Sequence, residues 1–210
     1  MTFDLKKQET FLAKGKRGHV YLTTWKRRKA VVKRLSPASP SPGALKHEAM
    51  FLEKANALGI GPKLYSAQND GIVMEYVEGE RILNFFKDPS HSSQDIVQIC
   101  KAILLQCHTL DRNAINKMEL TNPYKHIIIR RKGKEWEPVM IDFERCHMTK
   151  KPKNVTQFLQ FLTSGVAKHA FGGKISFDKD IFWALAREYK NGQDDAAFSR
   201  ILQQVSSHRI

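Results

Sequence analysis

Apolar and β-branched residues alternate with polar ones near 10–14, 18–24 and 29–35, the second stretch reading Val20, Tyr21, Leu22, Thr23, Thr24 and the third Ala30, Val31, Val32. A period of two marks strands, and the joints carry Gly15, Gly18 or the charged triplet at 26–28, so the first third predicts a β-meander. Three Ser-Pro pairs then fill 36–43, a connector in which regular helix or central strand is excluded. Ser41 followed by Pro42 reads as an N-cap with its first-turn proline, and the spacing predicts a helix over 42–58 stopped by Gly59. Strand-like runs recur at 63–67 and 71–77, the latter entering the acidic turn Glu78, Gly79, Glu80.

The second half changes period. Ser92 with Asp95 three positions on opens a long amphipathic helix over 93–111. A polar segment at 112–125 leads to the apolar run 126–129, and the charged stretch 130–138 reads as the turn of a hairpin whose second strand is 139–143. From Asn154 onward the pattern is helical, with Val155, Phe158, Leu159 and Leu162 on one face, followed by 181–189 and 196–205. No internal repeat occurs. The order is a β-rich front and a helical back with one hairpin between them.

Composition narrows the class. In 210 residues, 41% hydrophobic and 27% charged positions describe an ordinary folded chain rather than a disordered or collagen-like one. No stretch approaches the ~18 to 20 apolar residues that span a bilayer, and the polar start has no apolar signal core. Cys100 and Cys107 fall seven apart in one predicted helix, about 10 Å, too far for a disulfide. With Cys146 they fit a reducing compartment, and the expectation is a cytoplasmic protein. The net charge of +14 favours an anionic partner without naming one. It is concentrated: residues 1–35 hold eleven Lys and Arg against Asp4 and Glu9, whereas 70–95 is acidic.

Several residues could carry chemistry. Gly15 and Gly18 flank a strand reversal and would let backbone amides approach a phosphate. Lys33 ends the apolar strand that begins at Ala30. In the 42–58 helix Leu45, Ala49 and Leu52 form an apolar stripe, and Glu48 falls on it. A carboxylate there must either snorkel out to solvent or meet a cation, and Lys33 is the economical partner. Asp142 leaves the buried run 139–143, where a hard cation can be held beside phosphate oxygens.

Taken in order, glycine loop, strand lysine, helix glutamate, apolar strand into an acidic linker, polar loop, strand and Asp-Phe, the chain resembles the protein-kinase-like superfamily. It is most similar to the small atypical branch: RIO-type kinases, the compact kinase of the tRNA-threonylcarbamoyl complex and lipopolysaccharide-core sugar kinases. The resemblance spans residues 11–145. It implies an α+β, bilobal fold, with a β-rich N-lobe carrying one C helix (1–77) and a mainly helical small C-lobe (78–210), together one kinase-like domain. Gly15, Gly18 and Val20 match the second glycine, third glycine and valine of the family's GxGxxGxV loop, while Ala13 stands for the first glycine. Lys33 corresponds to the lysine that grips the α- and β-phosphates of ATP, and Glu48 to its ion-pair partner. The segment 72–77 looks like the inter-lobe hinge, in which the Glu75 carbonyl and the Val77 amide would meet adenine. Asp142 with Phe143 matches the first two residues of the Asp-Phe-Gly metal motif.

Three departures accompany the match. The catalytic loop HxDLxxxxN is represented by residues 117–121, with Glu119 where the catalytic Asp belongs. The metal-binding Asn has no match at its spacing, and His126 is the nearest candidate; Glu144 replaces the glycine of Asp-Phe-Gly. An extra methylene moves the Glu119 carboxylate by ~1.5 Å, and misplacement of about 1 Å can cost ~100-fold in rate. His126 suits Mg²⁺ poorly, whereas Glu144 would add a hard oxygen beside Asp142.

The implied activity is transfer of the ATP γ-phosphate to a Ser or Thr hydroxyl of a protein, with Mg²⁺ or Mn²⁺ as cofactor. In it Lys33 and Glu48 would set the phosphates, Asp142 would hold the metal and Glu119 would serve the acceptor hydroxyl. Two alternatives stand beside it: a pseudokinase-type nucleotide-binding module that uses its basic surface for RNA or an acidic protein, and a small-molecule (sugar) kinase.

Overall fold

In the computed structural model the residues described are 9–15, 18–36, 43–69 and 71–207. Most of the connector, with the Ser41–Pro42 cap expected there, lies outside them, as do Lys16 and Arg17 of the glycine loop. Two compact units emerge: one takes the chain as far as Val77 together with Ile141–Arg145, the other takes Glu78–Met140 and Cys146–Ile210.

The first unit is built on β1 (Thr10–Lys14), β2 (Gly18–Trp25), β3 (Arg28–Leu35), β4 (Leu64–Gln68) and β5 (Gly71–Glu75), crossed by α1 (Ala44–Ala57). The sheet is antiparallel, in the order β1-β2-β3-β5-β4. β2 and β3 are joined by the two residues Lys26 and Arg27, both at positive φ (46° and 66°), the primed turn whose twist matches a hairpin but which usually recruits Asn-Gly. α1 begins after Gly43, with no side-chain cap, and ends before Gly59, whose φ of +73° needs no Cβ. Its face of Leu45, Ala49, Phe51, Leu52 and Ala55 is buried, and the helix packs on β3, β4 and β5. A smaller core of Trp25, Ala30, Val32 and Val73, with Tyr21 and Tyr65 against it, forms a second cluster.

The second unit contains β6 (Glu80–Arg81), α2 (Ile82–Lys87), α3 (Ser93–Arg112), β7 (Ile115–Asn116), β8 (Ile127–Lys132), β9 (Glu135–Met140), β10 (His147–Met148), α4 (Asn154–Leu162), α5 (Gly165–Phe171), α6 (Lys179–Gly192) and α7 (Asp195–Ser206). α3 opens with a capping box in which the Ser92 and Asp95 side chains each accept from the other residue's backbone N–H. It packs against α4, α7 and β9, and α6 lies against α4 and α7. The interior is aromatic: Phe85, Phe86, Phe158, Phe161, Phe171, Phe182 and Tyr189 are each at most 1% exposed. The thiols of Cys100, Cys107 and Cys146 are buried.

The α+β class, β-rich first and helical second, is the one expected from the sequence. Several details differ. The charged stretch 130–138 is strand rather than turn, because Arg130 and Lys132 pair with Glu137 across β8 and β9 at 2.6 Å and 2.8 Å, and only Gly133 and Lys134 make the reversal. The run 139–143 leaves the sheet after Met140, β5 stops at Glu75 rather than 77, and β8 begins at Ile127. The polar segment 112–125 holds a short strand, β7, paired with β10.

Candidate functional site

Lys33 is the third residue from the end of β3, and register sets its surroundings. It faces Val20 of β2 and Ile72 of β5, so the lysine, the valine that follows the glycine reversal and the apolar strand share one face of the sheet. The reversal itself closes through the Gly15 N–H donating to the Gly18 carbonyl at 2.8 Å. A Cβ on Gly18 would stand 2.3 Å from the Arg34 carbonyl oxygen, so that position admits only glycine without a backbone shift.

Glu48 falls on the buried face of α1 and is 2% exposed. The Lys33 ammonium donates to its Oε2 at 2.6 Å. The same ammonium reaches Asp142 Oδ1 and Glu144 Oε2, each at 3.3 Å. These two acids arrive on the five-residue stretch 141–145, which belongs to the first unit because Phe143 is buried there, 1% exposed. A Cβ on Gly61, whose φ is +85°, would lie 2.9 Å from the Phe143 ring, so glycine makes the seat and the phenylalanine fixes the acids on either side of it. Asp142 has φ +63°, a left-handed conformation that costs an aspartate energy and persists where its surroundings over-determine it.

The electrostatics follow from this crowding. Burial works against the Lys33 ammonium, yet Glu48, Asp142 and Glu144 outweigh it and hold its pKa above the ordinary lysine value. Burial pushes the Glu48 carboxyl up, Lys33 pulls it down, and Asp142 and Glu144 push it up again, leaving it raised. Three carboxylates around one ammonium leave a surplus of two negative charges when all are ionised. Glu48, Asp142 and Glu144 each offer an oxygen, all within 4.8 Å of one another. Hard oxygens with surplus negative charge suit Mg²⁺ or Mn²⁺, and the donor set therefore fits a divalent cation.

Glu75 ends β5; its N–H donates to the Lys63 carbonyl at 2.9 Å and its Oε2 accepts from the Lys63 N–H at 3.1 Å. Val77 is buried at the end of the first unit. Glu119 and His126 belong to the second unit, where the His126 Nε2 lies 3.5 Å from Glu119 Oε2. Their loop is pinned from below. Asp111, 4% exposed, accepts from the N–H groups of Asn154 and Val155 at the start of α4 and from the Asn154 amide; Asn154 in turn accepts the Lys117 N–H at 2.8 Å. Leu120 is fully buried just beyond. Between these anchors Met118 and Glu119 both take positive φ, 58° and 64°. Within the first unit the structure gathers Lys33, Glu48, Asp142 and Glu144 into one cluster, and within the second it sets Glu119 beside His126. Sequence reasoning paired Lys33 with Glu48 alone and missed that two further carboxylates reach it; the polar flanks of Phe143 were the available signal.

The fold is protein-kinase-like. Among solved structures, the crystal structure of the PF14_0431 kinase domain superposes with a TM-score of 0.54 at 14% identity, covering 78% of this chain and 64% of that one. This chain therefore spans less than two thirds of that domain's length. No family model and no curated protein matches the sequence. At this identity the likeness shows the fold, and a fold used this widely, with 1390 solved chains matching, does not name a reaction. Among the described residues no helix is long and apolar enough to cross a membrane.

Proposed function

We propose that the protein is an ATP-dependent phosphotransferase, an atypical kinase that moves the γ-phosphate to a protein Ser or Thr hydroxyl. The observation that carries this reading is the cluster in which the Lys33 ammonium, 2.6 Å from Glu48, also meets Asp142 and Glu144. Phosphoryl transfer asks the protein for positioning and charge neutralisation more than for covalent chemistry. Asp142 and Glu144 would hold Mg²⁺ or Mn²⁺, which supplies charge neutralisation at the phosphates. Lys33, kept in place by Glu48, would bind the α- and β-phosphates beside the Gly15–Gly18 reversal and Val20. The Glu75 carbonyl and Val77 amide would meet adenine. Glu119 would orient or deprotonate the acceptor hydroxyl, with His126 as its neighbour.

The test is phosphate transfer from labelled ATP to a generic protein substrate or to the protein itself, with Mg²⁺ and with Mn²⁺. Asp142→Ala and Glu119→Ala should each lose at least ~100-fold in rate. Label incorporated equally by wild type and both variants would sink the enzymatic reading. A second reading, a nucleotide-binding module without transfer, is favoured by the Glu119 carboxylate lying 3.5 Å from His126. Under it ATP binds in a Lys33-dependent way while no label moves.

A further inference from the structure

Within the second unit, α4 and α6 enclose a groove of about 400 Å³ whose lining includes Lys153, Gln157, Trp183, Arg187 and Lys190, with Thr121 at its edge. Trp183, Arg187 and Lys190 are spaced four and three residues apart, so they share one face of α6. Leu159, Phe182 and Ala186 supply an apolar floor. Trp183 is 48% exposed, large for the biggest apolar side chain, and the Lys179 ammonium stands 5.2 Å from its ring. Among the described residues that line the groove none is acidic; Glu188, next to Arg187 in sequence, is turned to Arg200 of α7.

We infer that this groove docks an acidic peptide segment of the acceptor protein, one that carries an apolar side chain. The three cations, Lys153, Arg187 and Lys190, match its carboxylates, and the floor and Trp183 take the apolar residue. The groove's place in the chain supplies the link to chemistry. Thr121 is two residues beyond Glu119, inside the turn closed by the Asn122 N–H donating to the Glu119 carbonyl at 3.0 Å. A segment seated here delivers its neighbouring Ser or Thr toward Glu119. The inference rests on the kinase reading above and adds to it a substrate class: hydroxyls flanked by Asp and Glu.

The experiment measures binding first and transfer second. Fluorescence anisotropy follows a labelled twelve-residue peptide containing one Ser, one Leu and otherwise mostly Glu, alongside its Lys-for-Glu counterpart. Wild type should bind the acidic peptide. Arg187→Glu/Lys190→Glu and Trp183→Ala should each bind it at least about tenfold more weakly, while thermal melts show all three folded, as expected for exposed positions. Equal binding of the acidic peptide by wild type and the charge-reversed protein, equal binding of the basic peptide, or tighter binding of an oligouridylate that displaces the peptide would each overturn the inference. In the transfer arm, charge reversal should raise KM for the acidic peptide with kcat unchanged. A peptide that binds in the groove yet is never phosphorylated leaves the docking site standing and removes the kinase reading. A peptide phosphorylated with the same KM by both proteins does the reverse.

Discussion

At the scale of single residues, the strongest constraint is the surplus of negative charge around Lys33. Replacing Lys33 by Met leaves Glu48 buried without its cation, a change that costs roughly 3 kcal/mol. The loss should be smaller at pH 5 than at pH 8, since Glu48 escapes the penalty by taking a proton. The sign is set by the direction of its shift: a carboxyl whose pKa is raised on folding holds its proton more tightly in the folded chain. Its contribution is complete below the ordinary value of 4.5 and is lost as pH rises from there through the raised value. Lys33, also raised, contributes fully below 10.5 and loses its contribution above that, as pH rises through its folded pKa. Chemical denaturation of wild type and the Lys33→Met protein at the two pH values checks this. The same surplus predicts that millimolar Mg²⁺ or Mn²⁺ raises the melting temperature, and that Asp142→Asn combined with Glu144→Gln abolishes the rise. Melting curves indifferent to the ion in wild type would count against a metal role for these acids.

Secondary-structure elements carry their own tests. Gly18→Ala pushes a methyl to 2.3 Å from the Arg34 carbonyl and should destabilise by about 1–3 kcal/mol, visible as a lower midpoint in urea. Lys26→Asn with Arg27→Gly places residues suited to positive φ in the β2–β3 turn and should stabilise by about 1 kcal/mol. α3 was legible nearly to its ends because Ser92 and Asp95 announce a capping box and nine of its positions are buried in helical register. Glu48 was legible because an acid on an apolar stripe demands a partner. The β8–β9 hairpin was not: Arg130, Lys132 and Glu137 look like a turn by composition, and only their cross-strand pairing reveals strands. β7 and β10, two residues each, are too short for any period, and the six residues of α2 lack one. The left-handed backbone at Asp142 and Glu119 is imposed by distant packing, which no local pattern records.

For the whole molecule, the three thiols report on global integrity. Burial raises the pKa of Cys100 and of Cys107, so both remain protonated and inaccessible while the chain is folded. Labelling by a thiol reagent should follow unfolding, with Cys100 and Cys107 modified together across the denaturation transition. Rapid modification of either in native buffer would show a local opening that the buried face of α3 does not suggest.

The excursion of residues 141–145 into the first unit bears on synthesis. As the chain leaves a ribosome, Lys33 and Glu48 emerge close in time and can form a neutral pair. Asp142 and Glu144 follow nearly a hundred residues later. The surplus charge that fits a divalent cation therefore arrives last, and a nascent chain truncated before residue 141 would hold the lysine and its partner yet have little reason to retain the ion.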